Sequence, residues 1–429
     1  MICSNIGQAG GRLTFAGRDT VALAEQYGTP LYLMDEQRIR HNCRVYKENM
    51  DRHFTRALPL YASKALACRR LYEIVAEEGM GADVVSAGEL YLAKSANFPM
   101  EKVYFHGNSK TDDDIRFAMD CGVGCFIVDN PDELAAVQRF AAERNIRQRC
   151  LLRLTPGIDP HTFEAVATGK VDSKFGIPME TGQAMEFAAL ALKQPNLDVE
   201  GIHAHVGSQV FDSQVFYDTA DIMLRFIAAM KKELGFEARV LNLGGGYGVR
   251  YVEADPTVDI GYELSTVADH IRKGCAALGI REPKVLMDPG RSIVADAGLT
   301  LYTVQSTKTI PGYRSYVSID GGMTDNPRYA LYRSAYTVYL ANKMDEPRDF
   351  VCTVGGRCCE SGDMIQEDVA LPTPVRGDIL AVCTTGAYNY SMASKYNTVG
   401  RPPIVMVDGD RDYVAVRRET FEDMASRDQ

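Results

Sequence analysis

The chain has 429 residues, of which 46% are apolar and 24% charged, and its formal charge at pH 7 is −10. This composition is typical of a soluble globular protein, and the negative balance argues against a surface for nucleic acids or anionic membranes. The length exceeds that of one ordinary core and predicts two domains, or a barrel with an attached module.

The sequence has no pattern typical of a membrane helix, an export signal or a disulfide framework. No apolar run approaches the roughly 18 residues that a membrane helix needs. The first residues contain no basic segment followed by an apolar one, so we expect no export signal and a cytoplasmic location. The 11 cysteines lack the spacing of a disulfide framework, which favours reduced thiols.

The first predicted strand covers 30–34, and from about residue 58 a short apolar strand followed by a helix-like stretch recurs. These recurring strands are predicted at 58–63, 81–86, 102–107, 124–129, 150–155, 201–208, 240–244 and 284–288, with amphipathic helices such as 67–78, 132–144 and 218–234 between them. Eight such units predict a parallel (β/α)8 barrel, a TIM-like fold whose functional residues lie at the C-terminal ends of the strands. A doubly wound sheet is the main alternative, but it rarely has eight such regular units.

The pattern changes after residue 297. Strand-like runs separated by Gly, Pro and Asp are predicted at 299–306, 315–319, 350–354, 379–383, 404–408 and 411–416. They predict a C-terminal antiparallel β-domain, and we expect strand 30–34 to pair with it. The predicted domains are a barrel at 36–296, and a β-domain of 1–35 and 297–429 that completes the functional site.

Lys64 follows the first barrel strand, in Leu-Pro-Leu-Tyr-Ala-Ser-Lys. A lysine at a barrel mouth can have its amine desolvated, which lowers its pKa and makes it a nucleophile toward an aldehyde. A lysine that ends a strand is more often a solvated charge, so this residue alone is a weak signal.

His203 and His205 alternate on the sixth strand, which predicts that they face the same side. They fit a metal pair, an imidazole stacked on a flat cofactor ring, or a core histidine that the backbone satisfies. A metal would need further ligands, and at the other strand ends only His106 offers one, so we expect no metal. Cys121 and Cys125 have no partner pair and do not change this expectation.

Two further strand ends carry unusual segments. Gly244-Gly245-Gly246-Tyr247-Gly248 can form a backbone nest for an anion, although a plain tight turn is the alternative. Its spacing differs from Gly-x-Gly-x-x-Gly, which disfavours a dinucleotide. Asp288-Pro-Gly-Arg291 offers an acid that can keep a pyridine nitrogen protonated and an arginine for a phosphate or carboxylate, or else a local ion pair. A lysine, a nest, a histidine and an acid are together what pyridoxal 5′-phosphate requires.

Nine segments occur in a fixed order: Tyr61-Ala-Ser-Lys64, Asp83-Val-Val-Ser-Ala-Gly-Glu-Leu90, Phe105-His-Gly-Asn-Ser-Lys110, His205-Val-Gly-Ser-Gln209, Gly244-Gly-Gly-Tyr-Gly248, Asp288-Pro-Gly-Arg291, Asp320-Gly-Gly-Met-Thr-Asp-Asn-Pro-Arg328, Cys359-Glu-Ser-Gly-Asp363 and Gly386-Ala-Tyr-Asn-Tyr-Ser-Met-Ala393. With these segments the chain resembles the fold-type III pyridoxal-phosphate decarboxylases and, within them, the diaminopimelate decarboxylase family. The resemblance extends over about residues 29–412. Each segment alone is moderately specific, and their common order is highly specific.

The resemblance implies a role for each matching residue. Lys64 would bind the cofactor covalently, His205 would stack on its ring, Ser208 and Gly246 would bind its phosphate, and the other cofactor residues would be Asp83, Arg153, Gly245, Asp288, Gly290, Arg291 and Tyr388. Cys359 would deliver a proton, and the substrate would be bound by Arg291, Arg328, Tyr332, Glu360 and Tyr388. The resemblance also implies a homodimer in which the Cys-Glu segment completes the partner's site.

Two positions depart from the family pattern. Asp288 stands where the family usually has glutamate, so its contact with the ring nitrogen is expected to be longer or to run through water. Ala87 stands where glycine is more common. The Arg328–Tyr332 pair has independent support, because the two residues are four apart after Asn326-Pro327, which predicts a helix start and one face that clamps a carboxylate. An exposed surface helix is the alternative.

The expected reaction is decarboxylation of meso-2,6-diaminopimelate to L-lysine and CO2, the last step of lysine biosynthesis. Related enzymes act on D-lysine, D-ornithine, arginine, ornithine or the polyamine precursor carboxynorspermidine. Cys359-Glu-Ser-Gly-Asp363 and Arg328 favour diaminopimelate, because simple diamine precursors lack a distal carboxylate. An alanine-racemase-type enzyme, a metallohydrolase and a non-catalytic regulator are further alternatives.

Overall fold

The computed structural model describes residues 1–158 and 172–429. These residues form two compact units. One unit contains Met1–His41, Val249–Thr257 and Ile293–Gln429, and the other contains Asn42–Gly248 and Val258–Ser292. The domain bounds derived from the sequence, 36–296 for the barrel with 1–35 and 297–429 for the β-domain, stay a prediction.

A small antiparallel meander opens the chain. The first elements are β1 (Ile6–Ala9), β2 (Arg12–Phe15), β3 (Arg18–Asp19), α1 (Thr20–Tyr27), β4 (Leu31–Asp35) and α2 (Glu36–His53). The Asp19 carboxylate caps α1 by accepting backbone N–H bonds from Val21 and Ala22 at 2.9 and 3.4 Å. The meander was not predicted, because strands of two to four residues are too short to show a periodic pattern.

Eight parallel strands form a closed barrel in the second unit. These strands are β5 (Ala57–Ala62), β6 (Gly81–Val84), β7 (Val103–Phe105), β8 (Cys125–Val128), β9 (Gln148–Thr155), β11 (Leu197–His203), β12 (Val240–Asn242) and β13 (Lys284–Met287), and β10 (Ile177–Pro178) pairs with β9. Each strand pairs in parallel with its neighbour in chain order, and the ring closes where β13 pairs with β5. The predicted (β/α)8 barrel is confirmed.

Helices follow the barrel strands. They are α3 (Arg69–Glu77), α4 (Ala87–Ser95), α5 (Asp112–Asp120), α6 (Pro131–Glu143), α7 (Gln183–Leu192), α8 (Gln214–Leu234), α9 (Ile260–Leu278) and α10 (Arg291–Val294). Local chemistry sets several starts: Thr111 and Asp114 form a capping box on α5, and Asn130 caps α6 before Pro131. Among the described residues, no helix combines the length and apolar character that crossing a membrane requires.

The first unit contains a β-sheet as predicted, but the sheet is mixed and not antiparallel throughout. Its further elements are β14 (Gly298–Ile310), β15 (Arg314–Ile319), α11 (Arg328–Tyr332), β16 (Val338–Leu340), β17 (Phe350–Gly355), β18 (Met364–Leu371), β19 (Ile379–Cys383), β20 (Ile404–Asp408), β21 (Arg411–Val416) and α12 (Phe421–Ala425). β14 pairs antiparallel with β4, β15 and β19, whereas β4–β20 and β15–β17 are parallel pairs. The expectation that strand 30–34 joins this sheet is confirmed, because β4 lies between β14 and β20.

Candidate active site

Lys64 lies in a single helical turn, Ser63–Ala65, directly after β5. Ser63 and Ala65 are buried, whereas the lysine is exposed. The buried neighbours therefore anchor the turn and leave the lysine side chain at the C-terminal end of the barrel. The sequence suggested an enclosed amine, and in the described chain the residue is instead exposed.

The turn after β13, Asp288-Pro-Gly-Arg291, packs on the lysine turn through backbone atoms. The Ala62 N–H donates to the Pro289 carbonyl oxygen at 3.0 Å. A Cβ atom on Gly290 would lie 2.9 Å from the Ala62 carbonyl oxygen, so only glycine allows this approach without displacement. The acid and the lysine are therefore carried by strand ends in direct backbone contact.

Four buried side chains, Asp83, His106, His203 and Asp288, form an acid–imidazole cluster at the ends of four barrel strands. His106 Nε2 lies 3.7 Å from Asp83 Oδ1, and His203 Nδ1 lies 3.9 Å from Asp288 Oδ2. The two imidazole rings meet edge to face, with centroids 4.8 Å apart. None of the four residues is more than 5% exposed, so the cluster is closed to bulk water.

Burial controls the protonation of this cluster. Desolvation lowers the pKa of His106 and of His203 well below the usual value, so both rings are neutral at pH 7. Desolvation also raises the pKa of Asp83 and of Asp288, and the neighbouring Asp83 raises that of Asp288 further. The charge of Lys64 opposes both increases. The Asp288 carboxylate is thus best stabilised when a cation lies beside it.

Several polar atoms of the cluster lack a partner. Asp83 Oδ1, His106 Nε2 and Asp288 Oδ2 have no hydrogen-bond partner within residues 1–158 and 172–429. A buried polar atom left without a partner costs about 1–3 kcal/mol, which favours a ligand at this position. Ligand atoms of His106, His203 and Asp288 lie within 4.8 Å of one another, so a metal ion and a heterocycle are both compatible with the cluster alone.

The glycine segment after β12 is the candidate anion site. Gly244 and Gly246 have φ values of 73° and 118°, which side chains rarely adopt. A Cβ atom on Gly246 would lie 2.3 Å from the Gly207 carbonyl oxygen, and one on Gly245 would lie 2.4 Å from that of Asp288. Three loops therefore approach each other through bare backbone. The Gly244 and Gly245 N–H groups donate within the chain, to Asn242 Oδ1 at 2.8 Å and to His205 Nδ1 at 3.3 Å, so the anion nest stays a prediction.

The two histidines of the sixth barrel strand do not share one environment. Strand β11 ends at His203, so His205 lies beyond the strand and the predicted alternation along it is wrong. His203 belongs to the acid–imidazole cluster, whereas His205 accepts the Gly245 N–H through Nδ1 at 3.3 Å. The Ala204 N–H still donates to the Asn242 carbonyl oxygen at 2.9 Å, so the pairing with β12 ends just beyond His203.

Arg291 connects the loops after the sixth and eighth barrel strands. Its Nε and Nη2 atoms both donate to Ser208 Oγ, at 3.2 and 3.0 Å. The arginine is 7% exposed, so its charge acts in a poorly solvated setting. A guanidinium fork and a hydroxyl beside the glycine segment favour a phosphate over a bare metal ion.

Arg153 places a second guanidinium at the barrel mouth. Its Nε lies 3.8 Å from Asp129 Oδ1, and its guanidinium carbon lies 4.4 Å from the ring centroid of Phe175. Asp129 Oδ1 also accepts the Gly176 N–H at 3.0 Å. Burial lowers the pKa of Arg153 and the Asp129 charge opposes that change, so the side chain stays a cation.

Some residues of the site were missed or undervalued by sequence reasoning. His106 and His203 were metal or stacking candidates and were not predicted as cluster partners of the two acids. Lys110 was quoted in a motif without a role, yet its buried Nζ donates to Glu133 Oε1 at 2.7 Å and to the Gly107 and Ile127 carbonyl oxygens at 2.8 and 2.9 Å. The available signal was the position of His106 and His203 within the predicted strands 102–107 and 201–208, and of Lys110 shortly after the first of these strands.

In the first unit, Arg328 is flanked by two aromatic rings. Its guanidinium carbon lies 4.9 Å from the ring centroid of Tyr332 and 5.2 Å from that of Tyr388. Helix α11 begins at Arg328 with Pro327 in the cap position, so the predicted cap at Asn326 is wrong: the proline backbone is already near helical and Asn326 is fully buried. The predicted shared face of Arg328 and Tyr332 is present.

Cys359 and Glu360 lie on a separate loop of the same unit. Both residues are exposed. The Cys359 N–H donates to Asn397 Oδ1 at 2.7 Å, which fixes the backbone and leaves the thiol accessible. The predicted site residues thus form a barrel set and a first-unit set, each of which is ordered within its own unit.

Glu89, in the first turn of α4, is a partly buried acid whose titration can be tested. Its Oε2 accepts the Val85 N–H at 2.8 Å, and burial raises the pKa of Glu89 from 4.5 to about 7. The folded state therefore binds this proton more tightly than the unfolded chain. The associated stability is full below pH 4.5 and is lost as pH rises through about 7.

Glu89→Gln removes the titrating proton and keeps an acceptor for Val85. We expect its melting temperature to rise relative to the unmodified chain as pH increases from about 5 to 8, since the charged form of the acid is the costly one. Calorimetry on cofactor-free protein measures this difference. Glu143→Gln, an exposed acid of the same unit, is the control. A Glu89→Gln difference that stays constant with pH would refute the expectation.

Known proteins are similar to this chain over nearly its full length. Residues 36–295 match the family described as pyridoxal-dependent decarboxylase, pyridoxal binding domain. Diaminopimelate decarboxylase of Bacillus methanolicus is 42% identical over 95% of this chain and 95% of its own length. That of Bacillus subtilis is 40% identical over 97% of this chain and 95% of its own length.

Solved structures agree with these relatives. Diaminopimelate decarboxylase from M. jannaschii in complex with L-lysine has a TM-score of 0.92 and 33% identity, covering 100% of this chain and 98% of that one. The Helicobacter pylori enzyme complexed with L-lysine has a TM-score of 0.85 and 29% identity, covering 95% and 98%. On its fold, its strand-end residues and its full-length similarity, the chain belongs to the diaminopimelate decarboxylase family of pyridoxal-dependent enzymes.

Proposed function

We propose that this chain binds pyridoxal 5′-phosphate and decarboxylates meso-2,6-diaminopimelate to L-lysine and CO2, the last step of lysine biosynthesis. The observation that supports this most directly is the backbone contact between the Lys64 turn and the Asp288–Arg291 turn. A lysine, a buried acid and an arginine are thus carried by two adjoining strand ends. Relatives that are 40–42% identical over nearly the full chain are diaminopimelate decarboxylases.

The barrel residues fit a phosphorylated pyridine aldehyde. The glycine nest and the Arg291–Ser208 pair suit a phosphate, and the unpaired Asp288 oxygen suits a protonated ring nitrogen. The residues proposed to hold the cofactor are Lys64, Asp83, Arg153, His205, Ser208, Gly245, Gly246, Asp288, Gly290, Arg291 and Tyr388. When bound, this cofactor supplies a sink for the electron pair that departing CO2 leaves behind.

Asp288 sets the electrostatics of the ring-nitrogen position. Its buried carboxyl has a raised pKa, so the carboxylate needs a positive partner. A protonated pyridine nitrogen is such a partner, and the pair would stabilise each other's charged forms. Neutral His203, 3.9 Å away, adds no competing charge.

Residues of the first unit carry charges that suit the distal carboxylate and the distal ammonium group of meso-diaminopimelate. Arg328 between Tyr332 and Tyr388 would bind the distal carboxylate as a planar cation. Glu360 would bind the distal ammonium, and Arg291 would assist with a substrate carboxylate. Cys359 would donate the proton that replaces CO2 as a general acid, which its exposed thiol permits.

The cofactor-loaded chain should release CO2 from meso-diaminopimelate and form L-lysine. Lys64→Ala should abolish turnover, and Arg328→Gln should raise KM by about 10-fold or more through loss of a charge-assisted bond. Arg333→Gln, an exposed arginine next to the same helix, is the matched control. Manometric CO2 release with amino-acid analysis measures both quantities.

The substrate comparison separates the remaining alternatives. D-Lysine and D-ornithine share the reacting end but lack the distal carboxylate, so the unmodified chain should prefer meso-diaminopimelate strongly. Arg328→Gln should reduce that preference, because it removes only the group that reads this carboxylate. Faster turnover of D-lysine or D-ornithine by the unmodified chain would contradict the proposed substrate and favour a D-amino-acid decarboxylase.

Substitution of Asp288 tests the acid at the ring nitrogen. Asp288→Asn should lower kcat by about 10²-fold or more, since an amide cannot stabilise the pyridinium charge. Asp288→Glu should keep most activity, because it retains the charge and lengthens the side chain by one methylene. Steady-state kinetics at saturating cofactor distinguishes them. Equal activity of the Asn and Glu variants would exclude an electrostatic role.

We also propose a homodimer with shared active sites and a cytoplasmic location. The proposed general acid lies on a loop of one unit and the proposed cofactor lysine in the other. All 11 cysteines are free thiols, which suits a reducing compartment. The substrate is a small metabolite and the proposed protein partner is a second copy of the chain.

Mixed dimers test the shared site. Lys64→Ala and Cys359→Ala chains should each be nearly inactive. If each site combines the lysine of one chain with the cysteine of the other, subunit exchange should restore activity to at most about a quarter of the unmodified level. Either variant incubated alone is the control. Absence of recovery in proven mixed dimers would contradict shared sites.

A further inference from the structure

Asp363 joins two loops of the first unit through its carboxylate. Oδ1 accepts the Met323 N–H at 2.6 Å, and Oδ2 accepts the Cys358 N–H at 2.7 Å. Asp363 is 4% exposed, so both bonds form away from bulk water. Met323 lies in the loop that leads to Arg328, and Cys358 directly precedes Cys359. One side chain thus connects the two segments that bear the proposed substrate-binding charges.

Backbone bonds close the same junction. The Asp363 N–H donates to the Glu360 carbonyl oxygen at 3.1 Å, and the Gly356 N–H donates to the Asp363 carbonyl oxygen at 2.9 Å. Nearby, the Arg357 N–H donates to the Gly321 carbonyl oxygen at 2.9 Å. The loop from 356 to 363 is therefore closed on itself and attached to the loop that begins at Asp320.

Two glycines leave space for the carboxylate at this junction. A Cβ atom on Gly356 would lie 2.3 Å from both carboxylate oxygens of Asp363, and one on Gly322 would lie 2.5 Å from Oδ1. At Gly362, in the same loop, an added Cβ would meet nothing within 4 Å. The packing at Gly356 and Gly322 thus depends on the position of the Asp363 side chain.

We propose that Asp363 is a positioning residue that holds the Cys359–Glu360 segment in fixed register with the loop leading to Arg328. This inference rests on the proposed function, in which these three residues protonate or bind the substrate. Asp363 itself touches neither substrate nor cofactor. In the proposed homodimer it would tie the Arg328 loop of each chain to the segment that the chain supplies to its partner.

The carboxylate is suited to this role because both of its bonds accept from backbone donors. An asparagine in the same place would keep one acceptor oxygen and turn an N–H group toward the other donor. One loop would then lose its anchor, and the two N–H groups would repel. Asp363→Asn is therefore nearly isosteric and still breaks the proposed connection.

The experiment compares three variants of the full cofactor-loaded enzyme. Asp363→Asn breaks the connection directly, Gly356→Ala displaces the carboxylate, and Gly362→Ala is the control in the same loop. The first readout is the rate of Cys359 alkylation by iodoacetamide, obtained by peptide mapping with Cys121 of the barrel unit as an internal reference. The second is kcat and KM for meso-diaminopimelate, with the absorbance of the bound cofactor as a check on the barrel.

We expect Asp363→Asn and Gly356→Ala to change the Cys359 alkylation rate by about threefold or more and to lower kcat/KM by about 10-fold or more, because small displacements of reacting groups are costly. Cys121 alkylation and the cofactor absorbance should stay unchanged, as they would not after general unfolding. Gly362→Ala should behave as the unmodified enzyme in all measurements.

The inference is overturned if Asp363→Asn and Gly356→Ala match Gly362→Ala in both Cys359 alkylation and kcat/KM. If Asp363→Asn does not fold, Gly356→Ala against Gly362→Ala decides by the same criteria. Failure of the proposed function gives a different result: the unmodified chain would release no CO2 from meso-diaminopimelate, while the alkylation difference between variants would still report the positioning.

Discussion

Close backbone approach between neighbouring strand ends is the constraint on which the candidate site depends. The lysine turn after β5 and the acid turn after β13 share a backbone hydrogen bond, and Gly290 leaves room for that contact. Gly246 does the same between the loops after β11 and β12. A side chain at either glycine would separate the loops. The position of Asp288 next to the Lys64 turn thus depends on Gly290, whereas Gly246 allows the approach of the two neighbouring loops.

The close approach of the strand ends also buries charged side chains. Asp83 and Asp288 are removed from water together with two neutral histidines, so their charges depend on nearby cations. Lys64 and Arg153 are the cations that oppose the rise in pKa of both acids. A protonated ring nitrogen would add a third. Under the proposed function, a protonated ring nitrogen would keep Asp288 ionised at a position where the family usually has glutamate.

The barrel could be predicted from sequence because each strand is a local apolar run that ends in small or polar residues. Register and contacts across the barrel could not, since they arise only when strands distant in the chain close into a ring. His106 and His203 illustrate this limit: each was visible at a strand end, but their edge-to-face contact depends on closure. His205 shows another limit, because the predicted strand 201–208 extends beyond His203, the residue at which β11 ends.

In the first unit, sequence patterns identified which residues lie together, but they did not give the backbone geometry around them. The four-residue spacing of Arg328 and Tyr332 correctly placed both on one face, whereas the cap at Asn326 was displaced by the near-helical backbone of the following proline. In the sequence, Asp363 was only the last residue of the motif Cys359-Glu-Ser-Gly-Asp363, and no role was predicted for it. Its carboxylate accepts two backbone hydrogen bonds that join loops separated by one helix and two strands, and no sequence periodicity predicts such a contact.

The most direct test of the central claim is borohydride reduction of cofactor-loaded protein, followed by proteolysis and peptide mapping. Reduction fixes the cofactor on the amine that binds it, whatever the substrate proves to be. We expect a single modified lysine, Lys64. A label on another lysine, such as buried Lys110, or no label on any lysine would contradict the assignment of the cofactor to this barrel mouth.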